Sequence, residues 1–221
     1  MKKRLCCFIL AFILIAICQA GCGKKDNGMK KVVLNEVAHS IFYAPQYVAI
    51  EMGYFKDAGI DLVLETGFGA DKTMTALISG NADIGFMGSE STIYAYAEGS
   101  KDYAVNFAGL TQRAGNFLVA REKIDNFSWD MVKGKNVLGG RKGGMPQMVL
   151  EYILKANNID PASDLSIDQS VDFGLTAGAF SGNTEYDFTV EFEPGATSLE
   201  KEGKGYVVAS LGVDSGYVPY T

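Results

Sequence analysis

Cysteine and histidine are scarce in this sequence. Its 221 residues include one histidine, and the four cysteines, Cys6, Cys7, Cys18 and Cys22, all lie in the first tenth of the chain. No thiol is left to form a disulfide inside a folded domain. One histidine and scattered carboxylates do not assemble a zinc site, and the motifs G-x-S-x-G and H-E-x-x-H are absent. The sequence therefore predicts neither an enzyme nor a cofactor or metal site.

Basic charge is scarce as well. The chain has 20 Lys and Arg against 26 Asp and Glu, a net charge of -6 and a pI near 4.9. Beyond the N-terminus the basic residues cluster only at Arg141-Lys142, which cannot neutralise a row of phosphates. We therefore expect no nucleic-acid partner. With 48% hydrophobic residues, the composition is that of a globular protein.

The N-terminus has the pattern of an export signal. Met1 to Arg4 is cationic, and Leu5 to Ala20 is an apolar run with Gln19 as its one polar member. Because a membrane-spanning helix needs about 20 apolar residues, this shorter run predicts a cleaved signal peptide over residues 1–21. The step Ala20-Gly21-Cys22 resembles the bacterial lipoprotein processing site, which implies lipidation of Cys22. The alternative is a plain signal peptide cut near Ala20, with Cys22 left free.

Runs rich in β-branched and aromatic residues alternate with helical patterns along the rest of the chain, which predicts βα units, parallel sheets and an α/β fold. We expect a tether over 22–30, a first lobe over 31–120, a second lobe over 121–216 and, at 217–221, the start of a crossover back to the first lobe. The expected strands are 31–35, 61–65, 84–87, 103–110, 116–120, 136–140, 166–169, 188–192 and 206–211. The expected helices are 45–56, 72–79 with Asp71 as N-cap, 92–98 capped by Ser89, 143–157, 175–180 and 195–202.

Four segments carry a resemblance to a known family. They are Tyr43-Ala44-Pro45-Gln46-Tyr47-Val48-Ala49 with Gly53-Tyr54-Phe55, Gly69-Ala70-Asp71 to Ser79-Gly80-Asn81-Ala82-Asp83-Ile84-Gly85, Gly140-Arg141-Lys142-Gly143-Gly144, and Phe192-Glu193-Pro194. The sequence resembles the substrate-binding lipoproteins of ABC importers for nitrate, sulfonates, taurine and thiamine pyrimidine precursors. The resemblance implies a two-lobed type II periplasmic-binding-protein fold that closes on a small molecule and delivers it to a permease.

The length departs from this family. Two lobes of ordinary domain size use about 200 to 300 residues, and the ending Tyr217 to Thr221 resembles the start of the return strand. We therefore expect a chain truncated at its C-terminus, with an incomplete first lobe.

Candidate ligand-binding residues follow the strands, because ligands of open α/β sheets bind outside the carboxyl ends of strands. These loops offer carboxylates, hydroxyls, an imidazole, aromatic rings and helix-start amides. The candidates are Glu36, His39, Tyr43, Gly69, Ser89, Glu90, Arg113, Gly143, Gly144, Met145 and Glu193. For each, the competing interpretation is structural: a loop histidine bonded to backbone, a core aromatic, a helix cap or a solvated charge.

Two ligand classes remain open. Nitrate or a sulfonate would need helix N-termini and a cation such as Arg113 or Arg141, whereas an aminopyrimidine would need Glu36, Glu90 or Glu193 to accept its N–H groups. Three carboxylates favour the nitrogen-rich heterocycle. We expect a monomeric receptor, lipid-anchored on the extracytoplasmic face of the cell membrane, whose partners are a small molecule and an ABC permease and ATPase. The alternative is a secreted sensor or enzyme domain on the same fold.

Overall fold

The computed structural model describes residues 28–172 and 174–221. The expected signal peptide and Cys22 lie outside this part of the chain. The described strands are β1 (Lys30–Glu36), β2 (Ile60–Thr66), β3 (Ile84–Phe86), β4 (Asn116–Ala120), β5 (Asn136–Leu138), β6 (Ser166–Asp168), β7 (Phe188–Phe192) and β8 (Tyr206–Ser210). The helices are α1 (Ala44–Glu51), α2 (Tyr54–Asp57), α3 (Ala70–Ile78), α4 (Glu90–Ala97), α5 (Met145–Ala156), α6 (Thr176–Gly182), α7 (Gly195–Lys201) and α8 (Leu211–Asp214).

The strands form two sheets. A three-stranded sheet has the order β2-β1-β3, with β1 and β3 parallel, and a five-stranded sheet has the order β6-β5-β7-β4-β8. In the second sheet β5 is parallel to both β6 and β7, whereas β4 is antiparallel to β7 and β8. The expectation of purely parallel sheets is therefore wrong for β4. β4 is the first strand of this sheet along the chain, so no helical crossover from an earlier strand of the same sheet requires it to run parallel.

The five-stranded sheet is buried on both faces. On β4, Leu118 packs with the apolar face of α5, whereas its neighbour Val119 packs with Phe180 of α6 and Leu199 of α7. Successive side chains of a strand point to opposite faces, so both layers need apolar residues. This explains why β4 has the unbroken apolar run Phe117 to Ala120 rather than an alternating pattern.

The three-stranded sheet is covered by shorter helices. Met74 of α3 and Ala95 of α4 pack with Val37, while Leu34 and Tyr43 form a separate cluster with Phe86. None of the described helices is both long enough and apolar enough to cross a bilayer.

Three local expectations differ from the structure. The helix expected over 45–56 is broken into α1 and α2 by Gly53, whose φ of 80° is left-handed. Helix α3 begins after Gly69, so Asp71 lies inside its first turn and is not the N-cap. The segment 103–110 forms no strand: its residues Tyr103, Val105, Phe107 and Leu110 are exposed, and Leu110 and Thr111 donate their amides to the Thr221 carbonyl.

Candidate functional site

A cavity lies between the two sheets, at the carboxyl ends of β1, β3 and β5. Its walls come from the loops or helix starts that follow these strands and β2, and from the end of β7 and the last residues of the chain. This is the location that the topology of open α/β sheets favours for a ligand. The lining residues are Val37, Tyr43, Gly69, Ala70, Asp71, Gly88, Glu90, Arg141, Lys142, Gly143, Gly144, Met145, Pro146, Phe192, Tyr220 and Thr221.

The cavity adjoins a wider groove. The cavity itself has a volume of about 30 Å³ and admits only water-sized groups. The groove between α3 and α4 has a volume of about 580 Å³, and Asp71, Lys142 and Gly143 line both spaces. A small molecule would therefore either place a small head group in the cavity and the rest in the groove, or require the sheets to separate.

Six of the predicted residues line this cavity: Tyr43, Gly69, Glu90, Gly143, Gly144 and Met145. Tyr43 is 6% exposed and packs edge-on against Phe86 at 4.5 Å between ring centroids. Burial raises the pKa of the Tyr43 phenol, so this group stays a neutral hydroxyl.

Glu90, at the start of α4, is the most unusual group in the cavity. It is 2% exposed, and neither carboxylate oxygen has a hydrogen-bond partner among the described residues. Burial raises its pKa to about 7, although the backbone amides of Glu90 and Met145 oppose this shift. Those amides lie near the carboxylate without the geometry of a hydrogen bond. Gly88 makes room for this arrangement, because a Cβ there would overlap the Glu90 carboxylate.

The amides expected to bind an anion are partly occupied. Gly143 donates its N–H to Oε1 of Gln147 at 2.5 Å, and Gly144 donates to the Arg141 carbonyl at 3.2 Å. Arg141 is paired with Asp71, at 2.8 Å, and with Asp172. The positive charge of Arg141 is therefore largely neutralised by the protein itself.

The other predicted residues do not line the cavity. Glu36 is fully buried and accepts hydrogen bonds from Gln46, Tyr47 and Thr66, at 3.0, 2.8 and 3.2 Å. His39 contacts the same carboxylate through Nδ1 at 2.9 Å, but its side chain is 68% exposed. Glu36 thus joins β1, α1 and β2, and burial raises the pKa of its partner Tyr47 to about 12.

Ser89, Arg113 and Glu193 contact backbone or helix-start groups. Ser89 stands at the N-cap position of α4, but its side chain does not cap the helix as expected, because its hydroxyl donates to the Pro219 carbonyl at 3.2 Å. Arg113 donates to the Gly212 carbonyl at 2.9 Å. Glu193 accepts from the amide and hydroxyl of Thr197, at 3.1 and 2.8 Å, and so satisfies an amide in the first turn of α7. The structure does not bring these three side chains together with Glu90.

Two aromatic residues of the cavity were not predicted. Tyr220 is 3% exposed, its hydroxyl has no hydrogen-bond partner among the described residues, and burial raises its pKa. Its ring and that of Phe192 contact Phe42, at 5.6 and 5.4 Å between centroids. Phe192 belongs to the segment Phe192-Glu193-Pro194, which carries part of the family resemblance. No sequence pattern indicates Tyr220, because it reaches the cavity only where the last residues fold back against 110–112.

No cluster of three or more metal-ligating side chains occurs in the described part of the chain.

Two substrate-binding proteins of known structure share this fold. The alkanesulfonate-binding protein SsuA from Xanthomonas axonopodis pv. citri superposes with a TM-score of 0.64 at 18% identity, covering 86% of this chain and 63% of that protein. The nitrate-binding protein NrtA from Synechocystis PCC 6803 superposes with a TM-score of 0.58 at 18% identity, covering 81% and 51%. These likenesses establish a periplasmic-binding-protein fold.

The sequence comparison identifies the family. The sequence model of the family described as NMT1/THI5 like matches residues 41–203, so the chain belongs to this family. The chain is also 50% identical over 210 residues to a Bacillus subtilis (strain 168) protein named "Putative binding protein YtlA". The alignment covers 95% of this chain and 62% of that protein, so the chain spans less than two thirds of the length of this relative.

Proposed function

We propose that this chain belongs to the solute-binding component of an ABC importer, which captures a small molecule between its two sheets and presents it to a permease and ATPase. The observation that carries the proposal is the cavity at the carboxyl ends of the strands, with Glu90 buried and unpaired inside it. A buried carboxylate without a partner costs stability, which a ligand-binding role explains. Membership of the NMT1/THI5 like family supports the same function, and the alkanesulfonate-binding and nitrate-binding neighbours support it over a sensor or an enzyme.

For the ligand, the geometry favours an aminopyrimidine or a similar nitrogen-rich molecule over nitrate, a sulfonate or taurine. Of the three carboxylates considered from the sequence, Glu36 and Glu193 already accept hydrogen bonds from protein groups. Glu90 alone faces the cavity with both oxygens unpaired. Tyr43, Phe192 and Tyr220 line the cavity with aromatic rings, on which a heterocycle would stack once the two sheets separate.

A ligand panel with thermal unfolding tests this proposal. The full chain is heated alone and with aminopyrimidines, taurine, alkanesulfonates or nitrate. A ligand at 100 times its dissociation constant adds about 2.7 kcal/mol, which for a protein of this size raises the midpoint by roughly 5 to 10 °C. Sucrose at the same concentration controls for solvent effects. A cooperative transition that no member of the panel shifts would count against small-molecule capture.

We also propose that the protein works as a monomer on the extracytoplasmic face of the cell membrane, anchored by a lipid on Cys22. The sequence Ala20-Gly21-Cys22 supports this proposal. The protein should partition into the detergent phase of a cloud-point extraction, and Cys22→Ser should move it to the aqueous phase. Cys18→Ser, inside the expected signal peptide, is the matched control and should leave the partition unchanged. Equal partitioning of the parent and Cys22→Ser proteins would contradict the anchor.

A further inference from the structure

Three buried glutamates show how this chain satisfies a carboxylate and where it does not. Glu36, 0% exposed, accepts hydrogen bonds from Gln46, Tyr47 and Thr66. Glu191, 4% exposed, accepts from Thr176 at 3.0 Å and Thr189 at 2.8 Å. Glu90, at 2% exposure, has no such partner among the described residues. Because buried polar groups are almost always hydrogen-bonded, the unpaired carboxylate points to a group supplied from outside.

The groups around Glu90 do not provide a counter-charge. Arg141 is held by Asp71 and Asp172. Tyr43 and Tyr220 are neutral hydroxyls at the pH of the cell, because burial raises both phenol pKa values. Lys142 lines the cavity and the groove, but it is exposed to solvent, which screens its charge, and it is not among the groups that shift the pKa of Glu90.

The same neighbourhood is poorly suited to a simple anion. An anion in the cavity would face the Glu90 carboxylate at short range in a water-poor environment, where like charges repel strongly. The donors that would compensate are limited, since the amides of Gly143 and Gly144 already donate within the protein. The electrostatics of the cavity therefore disfavour nitrate or a lone sulfonate.

We propose that Glu90 is the specificity-determining residue of the ligand site and that it selects a head group presenting N–H donors, while rejecting simple anions. This inference rests on the proposed function and names the chemistry of the ligand. Two kinds of head group meet this requirement, a cation such as an amidinium and the N–H edge of a neutral aminoheterocycle. Both would give the Glu90 oxygens the hydrogen bonds that the protein leaves unmade, and a hydrogen bond to a carboxylate is stronger than one between neutral groups.

Calorimetry at pH 8 with four probes tests the inference. Benzamidinium and 4-aminopyrimidine carry N–H donors, and ethanesulfonate and nitrate are the anions. The parent chain should bind at least one N–H probe and neither anion. Glu90→Gln, which keeps the shape and removes the charge, should weaken that binding about tenfold or more. Glu191→Gln is the matched control, because the Glu191 side chain is buried, accepts from Thr176 and Thr189 and does not line the cavity, and this variant should bind as the parent does.

The outcomes separate the inference from the proposed function. Binding of benzamidinium alone assigns a cation site, and binding of 4-aminopyrimidine as well assigns recognition of an N–H edge. If the parent binds ethanesulfonate or nitrate, or if Glu90→Gln binds the N–H probe as tightly as the parent, the specificity role is wrong while the receptor function stands. If no probe binds at millimolar concentration, both proposals fail at this site.

Discussion

Glu90 and Glu191 are buried carboxyl groups whose pKa values burial raises from 4.5 to about 7. In the folded protein each group holds its proton to a higher pH than in the unfolded chain. Between pH 4.5 and 7 the folded state therefore binds more protons, and the free energy of unfolding falls as pH rises through this range. Both groups are less favourable to folding at pH 8 than at pH 5.

Replacing either acid by glutamine should remove part of this pH dependence. We expect the drop in the free energy of unfolding between pH 5 and pH 8 to shrink by roughly 2 kcal/mol in Glu90→Gln and again in Glu191→Gln. Urea unfolding at four pH values measures this pH dependence of the free energy of unfolding. The double variant should show the sum of the two single-variant effects, since the two glutamates share no partners. Variant profiles that run parallel to the parent profile would show that neither group titrates in this range.

Gly88 gives a second way to test the position of Glu90 without removing its charge. A Cβ at Gly88 would overlap the Glu90 carboxylate, which must then turn away. Because the displaced atoms are the end of a flexible side chain, Gly88→Ala should change the free energy of unfolding by only about 1 kcal/mol while abolishing binding of the N–H probe.

Gly109 supplies the control for that variant. A Cβ at Gly109 meets nothing within 4 Å, so Gly109→Ala should leave both stability and binding unchanged. Retained probe affinity in Gly88→Ala would mean that the carboxylate does not need its present position.

At the scale of the elements, two glycines should respond to alanine with opposite signs. Gly53 separates α1 from α2 at a φ of 80°, whereas Gly178 lies inside α6, and neither Cβ would meet a neighbour within 4 Å. Gly53→Ala should lower the free energy of unfolding by about 1 kcal/mol, because an L-residue is strained in the left-handed region. Gly178→Ala should raise it by roughly 0.5 to 1 kcal/mol, because alanine is the better helix former.

Urea unfolding of the two variants beside the parent measures these differences. A stabilised Gly53→Ala protein would indicate that α1 and α2 can join into the single helix expected from the sequence over 45–56.

The elements that the sequence predicts well are those with a strong local signal. Strands 116–120 and 188–192 match the structure, because they are rich in apolar, aromatic and β-branched residues that suit a sheet buried on both faces. The break at Gly53 and the coil at 103–110 were not predicted. The break depends on the backbone angle of Gly53, and the coil at 103–110 depends on the lack of a neighbouring strand to pair with. Hydrophobic periodicity in the sequence indicates neither feature.

The location of the cavity was predicted from the sequence, but its lining residues were predicted only in part. The rule that ligands bind beyond the carboxyl ends of strands leads to Tyr43, Gly69 and Glu90. The same rule cannot tell that Glu36 turns toward Tyr47 or that Glu193 turns toward Thr197. A loop position fixes where a side chain starts, but its direction depends on partners that other segments bring to it.

At the scale of the whole molecule, ion pairs cross from the helix layer of the first sheet to loops of the second. Arg141, after β5, pairs with Asp71 of α3 at 2.8 Å and with Asp172 after β6, while Lys72 of α3 lies 3.7 Å from Asp172. These contacts border the cavity and would hold the two sheets together around a ligand. The Tyr94 hydroxyl, 3.2 Å from the Met148 sulfur, bridges the same two parts.

Weakening this connection should favour a more open molecule. In Asp71→Asn, Arg141 keeps Asp172 but loses its tie to α3, so we expect a larger radius of gyration by small-angle X-ray scattering. We also expect a roughly two- to fivefold weaker apparent affinity for the N–H probe. A partly exposed ion pair contributes at most about 1 kcal/mol, and the apparent affinity falls in proportion to the fraction of molecules that are open. Lys133→Gln removes the exposed pair with Asp130, which has a similar distance of 2.7 Å but lies within one short helical turn. The scattering and affinity of Lys133→Gln should match those of the parent. If Asp71→Asn also has the scattering and affinity of the parent, packing between the sheets, and not this ion pair, keeps the cavity closed.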